Sequence, residues 1–182
     1  VTLRSDAVEV LTGWVAPTDE EEVLRKEFLE HLAAHDDAMD RACVPGHLTA
    51  TTAVLSHDGS RVLLTLHPKA GMWLPMGGHC ERADATLAGV ALREATEESG
   101  ISGLRLLVGP LALDRHEVWC HPPRSWHLDV EYAAVAPEGA EAVISDESLD
   151  LRWFPVDGIP DLSDEATRRL ARRGREMLLG LA

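Results

Sequence analysis

Gly78-His79-Cys80-Glu81-Arg82-Ala83-Asp84, then eight residues, then Arg93-Glu94-Ala95-Thr96-Glu97-Glu98-Ser99-Gly100-Ile101: the fold of this 182-residue chain turns on this stretch. Three glutamates fall at i, i+3 and i+4 after a glycine-containing loop. On a helix that spacing puts their carboxylates on one face, where neighbours three and four apart meet. Carboxylate oxygens are the ligands that hard cations such as Mg2+ prefer. A solvated acidic helix face would show the same residues. The helical angles argue against it. At 3.6 residues per turn, Leu87, Val90 and Ala91 lie within about 60° of Glu94 around the axis, as do Glu97 and Glu98. The acidic stripe therefore continues an apolar stripe, and Ala88, Leu92 and Ala95 line the opposite side. Carboxylates at the edge of an interior cost several kcal/mol unless a cation or donors compensate. A metal site on this helix is the expectation.

The same residues resemble the Nudix box, the family pattern G-x5-E-x7-R-E-U-x-E-E-x-G-U with U aliphatic. Arg93, Glu94, Glu97, Glu98, Gly100 and Ile101 fit its second half, with Ala95 a small residue at U. The first half departs. Asp84 stands where the family has glutamate, and eight residues separate it from Arg93 instead of seven. Glu81 makes a second pattern, G-G-x-x-E, with Gly77 and Gly78. A one-residue insertion at the junction of loop and helix leaves open which of Glu81 and Asp84 takes the family's position. Trp73-Leu74-Pro75-Met76-Gly77-Gly78 leads into the loop as in the family.

Composition bounds the rest. With 45% hydrophobic and 26% charged residues the chain is an ordinary globular one, long enough for a domain with a sizeable core. No apolar run approaches the ~20 residues that span a bilayer, so no membrane partner is expected. No basic-then-apolar leader is visible. Cys43, Cys80 and Cys120 are few, which fits a reducing cytoplasm, and they form no CxxC pair to support a zinc or redox motif. Cys80 reads as a buried structural thiol. A net charge of -14 argues against polymeric nucleic acid as partner. It leaves room for a small phosphorylated substrate, provided that divalent cations bridge it to the glutamates.

Along the chain, residues 1–16 read as a short strand. Thr18 and Glu21 then form a capping box, and Leu24, Phe28 and Leu32 give an apolar stripe running to about residue 41. The stripe suits packing on the chain's own core, or a contact in a homodimer, or a substrate lid. Residues 47–56 and 61–66 read as a hairpin. The box helix ends at Gly100. Residues 101–113 read as a strand broken near Gly109-Pro110, with another over 115–121. Residues 125–136 alternate, with Trp126, Leu128, Val130 and Tyr132 on one face. Ser125, His127, Asp129 and Glu131 take the other, which suits solvent or a cleft. A short strand covers 151–155. Ser163 caps a last helix whose acid start and arginine-rich end complement its dipole without an anionic ligand.

Strands flanked by helices predict an α/β protein. The resemblance implies a Nudix-type α/β/α sandwich with a mixed sheet at residues 47–182. Residues 1–46 would then be an N-terminal helical extension packed on the core. It further implies hydrolysis of the diphosphate linkage of a small molecule such as a nucleoside diphosphate derivative, with Mg2+ or Mn2+. Glu94, Glu97, Glu98 and the Gly78 carbonyl would hold the metal, and Arg93 would orient a carboxylate. Glu147 is the candidate base or extra ligand from a later loop. Lys69 and Arg61 are weak candidates for phosphate contacts, and Trp73, Trp119 and Trp126 for base stacking. Two alternatives stand beside this reading. One is a Nudix-like binding or regulatory domain without activity. The other is an enzyme like isopentenyl diphosphate isomerase, whose cysteine and histidine constellation has no motif here.

Overall fold

The computed structural model describes residues 2–118, 125–146 and 148–181. Its helices are α1 (Leu3–Gly13), α2 (Asp19–Ala34), α3 (Leu87–Ser99) and α4 (Glu165–Leu178). Its strands are β1 (Gly46–Leu55), β2 (Arg61–Leu66), β3 (Trp73–Leu74), β4 (Met76–His79), β5 (Arg105–Leu106), β6 (Ala112–Val118), β7 (Ser125–Val135) and β8 (Leu151–Pro155).

β1 and β7 form the middle of one mixed sheet. They run parallel, in register from Gly46 opposite Trp126 to Leu55 opposite Val135. Every other pairing is antiparallel: β2 and β4 on β1, β6 and β5 on β7, β3 and β8 on β2. Successive side chains of a strand point to opposite faces, and both faces of this centre are covered. Leu48 and Ala50 of β1, with Leu128, Val130 and Tyr132 of β7, pack on Leu87, Val90 and Ala91 of α3. Ala7 and Leu11 of α1 and Phe28 and Leu32 of α2 complete that layer. On the other face Ala53, Leu55, Ala133 and Val135 pack on Leu170 and Ala171 of α4. The expected α/β/α sandwich with N-terminal helices is present.

Several local expectations change. Residues 3–13 are helical, not a strand. Thr2 and Ser5 bond reciprocally at the start, and Ala7 and Leu11, one turn apart, are fully buried. That packing outweighs the few tenths of a kcal/mol by which Val8 and Val10 disfavour a helix. α2 stops at Ala34 instead of near residue 41. Beyond it Asp40 accepts the Ala42 N–H, the local bond by which aspartate competes with a helix. The Ala38 carbonyl meanwhile receives Leu48 N–H. The break expected near Gly109-Pro110 is present, but Gly103, at positive φ like Gly109, shortens the strand at its start as well. β5 keeps two residues and β6 starts at Ala112, while residues 119–121 lie outside the described ones. Asp164, not Ser163, caps α4 by accepting Thr167 N–H. Ser163 instead donates its hydroxyl to the Trp73 carbonyl at 2.7 Å.

The arginines of α4 clasp acids of the chain itself. Arg173 makes a two-pronged pair with Glu21 of α2 at 2.6 and 2.9 Å. Arg169 reaches Glu131, Arg172 reaches Glu165 and Arg175 reaches Asp157. Glu21 was expected to close a capping box on the backbone. Its carboxylate goes instead to the Thr18 hydroxyl and to Arg173. The apolar stripe of α2 is spent inside the chain, since Phe28 and Leu32 have no exposed surface. No helix among the described residues is long and apolar enough to cross a membrane.

Candidate functional site

The box helix α3 starts at Thr86, whose hydroxyl accepts Gly89 N–H, and ends at Gly100 in the left-handed region. Its first N–H, on Leu87, is taken by the Asp6 carboxylate of α1 at 2.7 Å. A carboxylate there also suits the positive end of the helix dipole. Leu87, Val90 and Ala91 are buried, which aims the same side of α3 at β4 and brings the glutamates to that strand.

β4 meets them with two glycines. The Gly77 N–H donates to Glu98 Oε1 at 3.4 Å. A Cβ on Gly78 would stand 2.5 Å from Glu94 Oε1, so only glycine leaves room for that carboxylate. Gly77 is as tightly held from behind, where a Cβ would stand 2.8 Å from the Ala50 carbonyl oxygen. The Glu94 side chain is 14% exposed and that of Glu97 60%, so the stripe runs from the edge of the interior into solvent.

Arg93 ties the group together. Its guanidinium donates to both Asp84 oxygens (3.2 and 3.0 Å), to Glu94 (2.9 Å), to Glu97 (3.2 Å) and to the His79 carbonyl (2.9 Å). The i, i+4 contact with Glu97 is the one that the spacing predicts. Asp84 clamps the arginine and also accepts Glu81 N–H at 2.8 Å. Glu81 points outward, 3.8 Å from Arg93 at its nearest.

Burial pushes the Asp84 carboxyl up. The Arg93 hydrogen bonds, the Glu81 N–H and the guanidinium charge more than reverse this and leave it below the ordinary 3.8. A carboxyl so depressed stabilises the fold above its unfolded value, and loses that contribution as pH falls through its folded value. Asp84→Asn should therefore be less stable than the wild type at neutral pH, with the gap closing below about pH 4. Urea unfolding across a pH series measures it. A gap that persists at full size in strong acid would refute the clamp.

The polar face of β7 is not solvated. Asp129 and Glu131 are buried. Burial raises both carboxyls, Glu131 well above its ordinary value, with the Asp129 charge adding to it and Arg169 offsetting part. Asp129 accepts the Thr49 hydroxyl at 2.8 Å. His127 is held down to about 2, first by burial, then by His116, His79 and His47 around it. Burial lowers His116 as well, but its bond to Asp114 and the charge of Asp129 leave it raised. His47 and His79 escaped the sequence reading. His47, His116 and His127 fell on separate expected strands and His79 in the box loop, without the pairing that joins them.

Glu147, Trp119 and Cys120 lie outside the described residues. Trp73 is core, edge-on to Phe154 at 4.8 Å. Arg115 covers Trp126 at 4.8 Å and Arg61 lies over Trp153. Lys69 is exposed in a turn. Cys80 is half-buried, and burial pushes its thiol up to about 12, as suits a structural role. An open hollow of about 670 Å³ between α1 and α2, lined by Trp14, Pro17 and Arg25 among others, touches none of the box residues.

Known proteins share this fold. Residues 46–174 match the NUDIX domain. Among solved structures, a NUDIX-family hydrolase from Clostridium perfringens is 23% identical, with a TM-score of 0.56 over 75% of this chain and 98% of that one. The dihydroneopterin triphosphate pyrophosphohydrolase of E. coli is 19% identical, TM-score 0.57, over 74% and 96%. A MutT NUDIX hydrolase from Burkholderia pseudomallei is 25% identical, TM-score 0.51, over 69% and 95%. Among curated proteins the chain has no match.

Proposed function

The chain belongs to the Nudix family, and from this we propose that it is a hydrolase which cleaves the diphosphate linkage of a small molecule, such as a nucleoside diphosphate derivative, with the help of Mg2+ or Mn2+. One observation carries the reading: α3 brings Glu94 and Glu98 against the glycine pair of β4, with Arg93 bracing Glu94 and Asp84 holding Arg93. The residues suit a hard cation. They offer oxygen donors, and the notch at Gly78 keeps a carboxylate where a side chain would displace it. Glu94, Glu97, Glu98 and the Gly78 carbonyl would hold the ion. When bound, it supplies positive charge against the charge that develops on the phosphoryl oxygens. Arg93 serves by fixing the carboxylates, and Glu147 is the proposed base that takes a proton from the attacking water. Residues 47–182 would be the hydrolase domain and 1–46 an extension on it, with the protein in the cytoplasm. The substrate of a relative at 19% identity is not inherited.

The test is a panel of nucleoside triphosphates, nucleotide sugars, dinucleoside polyphosphates and coenzymes, with Mg2+ or Mn2+ and with chelator. Metal-dependent phosphate-bearing products are expected from at least one class. No turnover on any would favour a regulatory domain, and isomer formation without phosphate release an isomerase. Metal should also stabilise the fold, since the unfolded chain cannot gather these glutamates. At tenfold over its Kd, Mg2+ adds about 1.4 kcal/mol, or roughly 3–6 °C in Tm at this size. Protons compete for the same oxygens, so the shift should shrink from ~pH 7.5 to ~pH 5. An equal shift in a Glu97→Gln/Glu98→Gln variant would place the ions elsewhere on the acidic surface.

A further inference from the structure

Sheet register brings four histidines into one row. His79 of β4, His47 of β1, His127 of β7 and His116 of β6 stand on four strands that are neighbours in that order. His47 lies directly opposite His127, and His127 directly opposite His116. Three of the rings converge. Ring centroids are 5.1 Å apart for His47 and His79, 5.0 Å for His47 and His127, and 5.0 Å for His79 and His127. One nitrogen from each of these three lies within 4.8 Å of the other two. The Nε2 atoms of His79 and His127 are 3.2 Å apart. Two nitrogens bound to one tetrahedral ion at about 2.0–2.1 Å stand about 3.3 Å apart. The pair already has that spacing, and a nitrogen of the third ring lies within 4.8 Å of both.

We propose that His47, His79 and His127 bind one divalent transition-metal ion of the zinc class, at a site separate from the box glutamates. Ligand chemistry separates the two. Imidazole nitrogen suits Zn2+ and Co2+, whereas carboxylate oxygen suits Mg2+. Position separates them as well. Glu94 lies against Gly78, while His79, the next residue, points to the opposite face of β4. The frame is fixed from behind, because Arg93 holds the His79 carbonyl and Thr49 sits between the histidine row and Asp129. His47 has no exposed surface, whereas His79 and His127 are partly open. The fourth coordination position therefore opens on the solvent side, where water or a phosphate oxygen can take it. Three protein ligands with one open position is the pattern of reactive sites, not of structural ones. Neutral imidazoles also leave the ion its full double positive charge, which three carboxylates would not.

Cobalt titration of the chelator-stripped protein tests this without any substrate, so the outcome does not depend on hydrolysis. Expected are one equivalent of bound Co2+, the ligand-field bands of a four-coordinate nitrogen site, displacement by equimolar Zn2+, and no displacement by excess Mg2+. His79→Gln and His127→Gln should each weaken binding by at least about 100-fold, since losing even an outer-shell partner costs roughly 10–100-fold. Both residues are partly open, so these variants should fold, with circular dichroism as the check. Glu97→Gln/Glu98→Gln should bind as the wild type does. Unchanged binding in the histidine variants, or loss in the glutamate variant, would overturn the assignment. So would a thiolate-to-cobalt absorption band, which would move the ion to the cluster of His35, Asp37 and Cys43. No Co2+ binding at all would mean that His79 and His127 share only a hydrogen bond.

Discussion

Glu97→Gln and Glu98→Gln are each expected to lower turnover by at least about 100-fold while the fold survives, as removal of one fixed stabilising charge does in other enzymes. Each change deletes a negative charge and keeps the shape. Glu97 is mostly in solvent, and among the described residues the pair it would lose is the one with Arg93. Glu98 accepts the Gly77 N–H, and a glutamine carbonyl can still accept it. Stability should therefore change little, and the loss should fall on kcat measured at saturating Mg2+. Near wild-type rates in either variant would remove these residues from the chemistry and leave α3 with an acidic face that does nothing.

Gly78→Ala should cost a similar factor by a different route. No charge changes, and Gly78 has an ordinary extended backbone, so the effect is steric. The new methyl would stand 2.5 Å from one Glu94 oxygen and 2.6 Å from its carboxyl carbon. The carboxylate must swing away, and its 2.9 Å contact with Arg93 goes with it. Displacement of a reacting or orienting group by about 1 Å can cost about 100-fold, whereas overpacking of this kind costs roughly 1–3 kcal/mol of stability. Turnover and urea midpoint measured together separate the two. Gly13→Ala is the control, because nothing lies within 4 Å of a Cβ there. If Gly78→Ala turns over like the wild type, the placement of Glu94 against β4 is irrelevant to the reaction.

The legible parts of this protein are the local ones. α3 could be read because its information is helical: apolar residues and glutamates three and four apart, with a glycine stop. The β1–β2 hairpin and the alternation of β7 could be read for the same reason. Where partners are distant, the reading stopped. Alternation separated the two faces of β7, but not that α4 and its arginines cover the one carrying Asp129 and Glu131. Asp84 and Glu81 could not be ranked by spacing, because the choice depends on which carboxylate the loop turns toward Arg93. α1 was misread since valines near its middle resemble a strand, while its support comes from Phe28, Leu48 and Leu87 far along the chain. The histidine row is the extreme case. Its members, His47, His79, His116 and His127, share no motif, and only the register of four strands puts them together.

The parallel pairing of β1 with β7 also sets a schedule. Its ten residue pairs each join positions 80 apart in the chain. Parallel, non-local pairing is slow to form, because loop closure must be met before the contacts repay it. During synthesis β1 can join β2 and β4 early, but its other edge stays bare until residue 135 has emerged. Through that interval Leu48, Ala50, Val54 and Leu55, all buried in the finished protein, border an open row of backbone donors and acceptors. Such an edge is a template for pairing with other chains. This protein is therefore most exposed to aggregation as a nascent chain, before its last third is made, and its yield in a cell should follow translation speed and chaperone supply more closely than the stability of the folded state.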